Sequence, residues 1–141
     1  MRFKKLLVAV DFSQPANLAL RAAAALAVES NAELTVAHVW QVPVLGAELP
    51  VPAQYIEEMR LAAEKQLATW TADATKLAGR PVTSAFVVGA PWDELCKLAN
   101  KDGYDLIVIA THGRTGLKHV LLGSVAEKVV RHAPCAVLVV R

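Results

Sequence analysis

Gly113, Gly116 and Gly123-Ser124 fall within twelve positions, shortly after the apolar run Leu106-Ile107-Val108-Ile109-Ala110. The run is short and rich in branched residues, as expected of a strand buried on both faces. It breaks at Thr111-His112-Gly113, passes through a polar, basic loop, and reaches Gly123-Ser124 before the periodic segment Val125-Ala126-x-x-Val129-Val130. Serine at that place is an N-cap signal. Glycine lets a backbone approach a ligand closely, and the first N–H groups of a helix have no intrahelical partner. Strand, glycine loop and helix start together make an anion site, usually for phosphate. The same residues also suit a plain turn, with Ser124 a cap and no ligand, because the spacing is neither GxxxxGK[ST] nor GxGxxG.

A second candidate is Asp11, which ends the first apolar run. An acidic side chain beside a phosphate loop is consistent if it meets the other end of a nucleotide, its ribose hydroxyls, or a metal that the nucleotide carries. Asp11 also suits a purely local role, assisting Ser13 as an N-terminal cap. Gly113, Gly123 and the N–H groups of Ser124 and Val125 suit the phosphates, each charge-assisted bond contributing about 1.5–3 kcal/mol. Arg114 and Lys118 either add charge or are simply solvated. His38 reads as a core residue of a strand, while His112 and His119 flank the loop. His132-x-x-Cys135 lacks the further ligands of a zinc site. No serine sits in a nucleophile elbow, and no paired carboxylates stand at a convincing spacing, so no catalytic residue and no metal ligand is assigned.

The elements that must position these residues are read from periodicity. Phe3 to Val10 is a first strand, and Ser13 with Pro15 opens an Ala-rich helix in which Leu18, Ala22, Ala25, Leu26 and Glu29 recur at helical spacing. That helix ends near Ser30-Asn31, and Leu34 to Trp40 is a second strand. Gln41 to Pro52 is an irregular passage, long for a compact domain, and such loops are often lids. A long helix carries Ile56, Ala63, Leu67, Trp70, Ala74 and Leu77 as its core stripe, with Gly79 its C-cap. Val82 to Val88 is a third strand, Pro91 initiates a short helix that Gly103 ends, and the fourth strand begins at Asp105. A helix from Ser124 to His132 and a strand from Ala136 to Val140 complete the chain.

Strands alternating with helices predict an α/β fold, a five-stranded parallel open sheet with helices on both faces. With right-handed crossovers, winding outward from the first strand and then returning gives the Rossmann-like order 3-2-1-4-5. Ligands bind such sheets beyond the carboxyl ends of the strands, where the winding reverses. Strand one ends at Asp11 and strand four at Ala110, so Asp11 should face the glycine loop across one cleft.

Composition bounds the rest. At 141 residues, 55% hydrophobic and 20% charged, residues 1–141 read as one globular domain with a sizeable core. A net charge of +2 is too mild to argue for nucleic acid. Cys96 and Cys135, with no paired spacing, suit a reducing compartment, a single disulfide being the alternative. The apolar run after Lys4-Lys5 stops at Asp11, shorter than a secretory h-region needs, and the run Ala22 to Val28 is too short to span a membrane. A cytoplasmic protein without a membrane partner is expected.

Over essentially its whole length the chain resembles the universal stress protein family, whose nucleotide-binding branch carries G-x2-G-x9-G-[ST]. The matching stretch is ATHGRTGLKHVLLGS, in which Gly113, nine intervening residues and Gly123-Ser124 fit and Ala110 stands at the first glycine. The start VAVDFS and the ending VVRHAPCAVLVV also look like this family. The resemblance implies ATP or another adenine nucleotide, with Mg²⁺ arriving on the phosphates. It puts Asp11 near the ribose and Ala9 and the backbone of Val39 near the adenine. Ala110, His112, Gly113, Arg114 and Gly116 then lie in the loop match, and Gly123, Ser124 and Val125 in the phosphate-binding turn. Ala110 is tolerable if its φ is negative, as expected at the end of a strand. The family also implies homodimers through Ala136 to Val140, an apolar edge that pairing would cover. A regulatory stress-survival protein with an unknown protein partner follows; the alternatives are a slow ATP-hydrolysing enzyme of this fold and a dimerisation module without nucleotide.

Overall fold

The computed structural model describes residues 2–44, 49–113 and 122–141. Its elements run β1 (Lys5–Ala9), α1 (Gln14–Ser30), β2 (Glu33–Trp40), α2 (Ala53–Ala78), β3 (Thr83–Val88), α3 (Pro91–Asp102), β4 (Leu106–Ala110), α4 (Ser124–His132) and β5 (Ala136–Val140). The five strands form one sheet in the order β3-β2-β1-β4-β5, and each neighbouring pair is parallel. The expected fold class and strand order are those observed. β1 is shorter than Phe3 to Val10, although Val10 N–H still donates to Ala37 O at 2.9 Å.

Alternation along the central strands divides the core in two. Leu6, Val8, Leu34, Val36, Leu106, Val108 and Ala110 point to the face covered by α1 and α2. Leu7, Ala37, Ile107 and Ile109 point to the face covered by α3 and α4. Leu6, Leu7, Val8 and Ile107 have no exposed surface at all, and each such side chain stabilises the fold by roughly 1.5–3 kcal/mol. Both faces being covered explains why these strands are apolar without interruption.

The helices depart from the expected stripes in an informative way. α1 buries Ala16, Ala19, Leu20, Ala23, Ala24 and Ala27, whereas Leu18 and Ala25 are exposed. Alanine on the inner face lets this helix lie close to the sheet. On α2, Ala63, Leu67 and Ala74 are buried and Trp70 packs partly against the core, but Leu77 is exposed and leaves the stripe. Leu77 lies in the last turn of the helix, two residues before the C-cap Gly79. Ser13 caps α1 as expected, its Oγ accepting from Ala16 N–H at 3.3 Å, and Asn31 ends it in the left-handed conformation.

Two polar ties hold the opposite end of the sheet. The Asp105 carboxylate accepts from the backbone N–H of Lys4 at 2.7 Å and of Lys5 at 3.1 Å, locking β1 to the start of β4. Tyr104 donates its buried hydroxyl to Thr35 Oγ1 at 2.8 Å, and Thr35 meets Thr83 Oγ1 at 2.7 Å. At the carboxyl ends of β1 and β4, where the winding reverses, the order of the strands leaves a crevice.

Candidate functional site

At the β1 exit, three consecutive residues are held by unlike forces. Asp11 Oδ1 accepts from the backbone N–H of Ser13 at 3.0 Å and from the Ser13 hydroxyl. Between them Phe12 has a φ of +65°, a left-handed conformation that costs a bulky residue about 1–2 kcal/mol. Its ring stacks on His38 at 4.3 Å and meets the Trp70 ring edge-on at 5.6 Å. Such aromatic pairs each add about 0.5–1.5 kcal/mol, enough to offset the backbone cost. His38 in turn is buried and places Nδ1 2.8 Å from Val10 O. The local cap role of Asp11 is therefore real, and it runs through Oδ1.

At the β4 exit, Thr111 N–H donates to Val140 O at 2.9 Å, and Thr111 O accepts from Gly123 N–H at 2.5 Å. This second bond brings the start of α4 back against the end of β4. A Cβ on Gly123 would lie 2.9 Å from Thr111 O, so glycine is what permits the approach. The bond also decides where the helix begins. Gly123 is the N-cap, without a side-chain cap bond, and Ser124 is the first helical residue, exposed to solvent. The expectation that Ser124 caps α4 is corrected: the helix starts one residue earlier than its hydroxyl suggests. The N–H groups of Ser124 and Val125 have no partner within the helix.

Gly113 completes the arrangement. A Cβ there would stand 2.6 Å from Asp11 Oδ2, so the two strand ends meet through a carboxylate and a bare backbone. His112 is half-buried, with Nδ1 3.0 Å from Thr111 Oγ1. Ala110 has a negative φ and packs with Leu106 and Val108 on the α1 side of the sheet. Its methyl group does not strain the backbone.

These residues share one cleft of about 680 Å³, a size that suits a small-molecule ligand. Its walls include Ala9, Asp11, Val39, Ala110, His112 and Gly113, together with Gly123, Ser124 and Val125. Arg114, Gly116, Lys118 and His119 lie outside the described residues, as do positions 45–48 of the expected lid passage. Ala9, Ala37, Val39, Leu95 and Ile109 make an apolar pocket on the α3 side, a shape and polarity that suit a flat ring. The polar groups, Asp11 and the α4 start, lie at the strand ends. Sequence reasoning missed Trp92 and Lys128, which also line the cleft. One available signal was their place, Trp92 just after the turn Gly89-Ala90-Pro91 and Lys128 one helical turn beyond Ser124. His38, expected only as core, lines the cleft as well.

The universal stress protein family model matches residues 2–141. The chain belongs to the universal stress protein family. Universal stress protein YxiE of Bacillus subtilis strain 168 is 35% identical over 147 aligned positions, covering 99% of each chain. Among solved structures, universal stress protein UspA from Lactobacillus plantarum has a TM-score of 0.86 at 25% identity, covering 100% of this chain and 99% of its own. A family member in complex with cAMP has a TM-score of 0.77 at 26% identity, covering 100% of this chain and 98% of its own. Another, from Archaeoglobus fulgidus in complex with dAMP, has 0.71 at 25% identity, covering 100% of both. Among the described residues, no helix of this family member is long and apolar enough to cross a membrane.

Proposed function

We propose that this protein is an adenine-nucleotide-binding member of the family, taking ATP with Mg²⁺ in the cleft between β1, β4 and α4. The observation that carries the reading is the pair of close approaches at Gly113 and Gly123, where a Cβ would meet Asp11 Oδ2 and Thr111 O. A close backbone approach that glycine permits at Gly123, ending on the start of a helix, fits phosphate. The adenine ring would occupy the apolar pocket by Ala9 and the Val39 backbone. Asp11 would accept from a ribose hydroxyl. Gly123 and the N–H groups of Ser124 and Val125 would hold the phosphates, with His112, Gly113, Arg114 and Gly116 in the adjoining loop. When bound, Mg²⁺ would neutralise part of the phosphate charge. Relatives of this fold crystallised with cAMP and dAMP support the choice of an adenine nucleotide.

In this reading residues 1–141 act as one cytoplasmic nucleotide-binding domain, paired with a second copy through β5, and a regulatory protein partner responds to occupancy. β5 lies at the edge of the sheet with Leu138 exposed, which supports the pairing. The negative φ of Ala110 supports the nucleotide reading, because the alanine does not strain the strand end.

The test is to identify what the purified protein releases on denaturation and then to titrate Mg·ATP into the emptied protein by calorimetry. Bound adenine nucleotide, with binding abolished in Gly123→Val, is the expected result. No released nucleotide and no heat up to millimolar ATP would overturn the proposal.

A further inference from the structure

We infer that Lys128 reads how many phosphates a bound nucleotide carries, and that the indole of Trp92 holds it ready to do so. The inference rests on the nucleotide reading above and adds a specificity determinant to that site. Lys128 and Trp92 line the same cleft as Ser124 and Val125. Ser124 and Lys128 are four residues apart on α4, hence on one face of the helix. Side chains lean towards the start of a helix, so the lysine leans from its own turn along the cleft wall, with its ammonium beside Trp92 rather than at the backbone N–H groups of the first turn.

The position of the ammonium group is held by an aromatic ring. Lys128 Nζ lies 5.8 Å from the centre of the Trp92 ring, within cation–π range. Trp92 is itself half-buried, with the His132 ring 4.9 Å away. The neighbouring cations are already engaged: Arg131 pairs with Glu127 at 2.7 Å and Lys97 with Asp93 at 2.9 Å. Among the described residues, Lys128 forms no ion pair with a carboxylate. A cation over an indole at the wall of a cleft can be exchanged for a stronger partner, an anionic oxygen.

AMP would end at the turn Gly123–Val125, satisfied by backbone N–H groups. ADP and ATP continue beyond it, and each further phosphate brings charge that the backbone donors do not reach. Lys128, one turn farther along α4, supplies the counter-charge there. A lysine suits this task because it acts as a point charge on a flexible stem and needs no fixed bidentate geometry.

Titrations of AMP, ADP and ATP, each in EDTA and in Mg²⁺, into the wild-type protein, Lys128→Gln and Lys128→Arg test the inference. The wild type should bind ATP about tenfold more tightly than AMP. Lys128→Gln should remove that preference while leaving AMP affinity within about twofold, and Lys128→Arg should retain most of it. ATP should alter tryptophan emission beyond whatever AMP does, and that additional change should vanish in Trp92→Phe. Equal affinity of the wild type for AMP and ATP would overturn the inference while leaving nucleotide binding intact. So would a Lys128→Gln loss that is the same for both nucleotides. Failure of the wild type to bind any of the three overturns the inference and the nucleotide reading together.

Discussion

Asp11 and Gly113 face each other across the point where the sheet's winding reverses, so closely that a Cβ on the glycine would lie 2.6 Å from Asp11 Oδ2. The other oxygen of that carboxylate is held by Ser13 through its backbone N–H and its hydroxyl. One side chain thus fixes the start of α1 with one oxygen and shapes the cleft with the other.

The first prediction concerns that pair. Gly113→Ala forces the carboxylate away from Ser13 and should cost on the order of 1 kcal/mol of stability, with Mg·ATP affinity falling about tenfold. Because the cost passes through Asp11, adding Asp11→Ala should recover part of the stability lost to the alanine methyl. Thermal melts of the two single variants, the double variant and the wild type decide this. Strictly additive effects would show that the contact carries no strain.

Arg80 offers a prediction far from the cleft. Its guanidinium donates to Ala27 O at 2.7 Å, to Asn31 Oδ1 at 2.9 Å and to Ala32 O, so it closes the end of α1 just before β2. Arg80→Ala should lower the unfolding free energy by about 2 kcal/mol in urea, and Arg80→Lys should recover less than half because it lacks the planar fork. An unchanged urea midpoint for Arg80→Ala would mean that water replaces the guanidinium fully.

The β5 edge predicts the oligomeric state. Leu138 lies mid-strand, 38% exposed, on the side of β4 away from β1. If the proposed pairing through β5 holds, the wild type should be a dimer in light scattering and Leu138→Lys a monomer, with far-ultraviolet circular dichroism unchanged, since charges at a strand edge block pairing. A wild-type monomer, or a Leu138→Lys dimer, would rule out this edge as the interface.

The thiols predict a pH dependence. Burial pushes Cys96 above the ordinary thiol range, helped by the Asp93 carboxylate, and pushes Cys135 the same way, helped by Asp105. Both groups should alkylate more slowly in the native protein than in urea, and their labelling should rise at higher pH. Raised folded values favour the protonated form. Their stabilising contribution is therefore complete below the unfolded thiol value and is lost as pH rises through the folded ones. Mass-spectrometric labelling with iodoacetamide across pH 7–10, native against unfolded, checks this; equal native and unfolded profiles would contradict it.

How far such features are legible depends on how local their causes are. Ser13 was readable as a cap because its hydroxyl bonds a backbone group three residues away. Ser124 carried the same signal and misled, because the bond from Gly123 N–H to Thr111 O starts the helix earlier. Phe12 gave no warning of its positive φ, since nothing in its own chemistry favours that conformation. The conformation is instead held by rings from β2 and α2. The exposed Leu18 and the buried alanines of α1 likewise follow from how closely that helix approaches the sheet.

By itself the sequence determined the order of strands and helices, the parallel sheet and the meeting of Asp11 with the glycine loop. Apolar periodicity, turn residues and crossover handedness act over short stretches or through simple topology. Only the tertiary structure decided which oxygen of Asp11 faces Gly113, where α4 begins, and that Lys128 lies over Trp92 at the cleft wall. Those outcomes depend on ångström-scale contacts between elements far apart in the chain, and no local pattern of residue types encodes such distances.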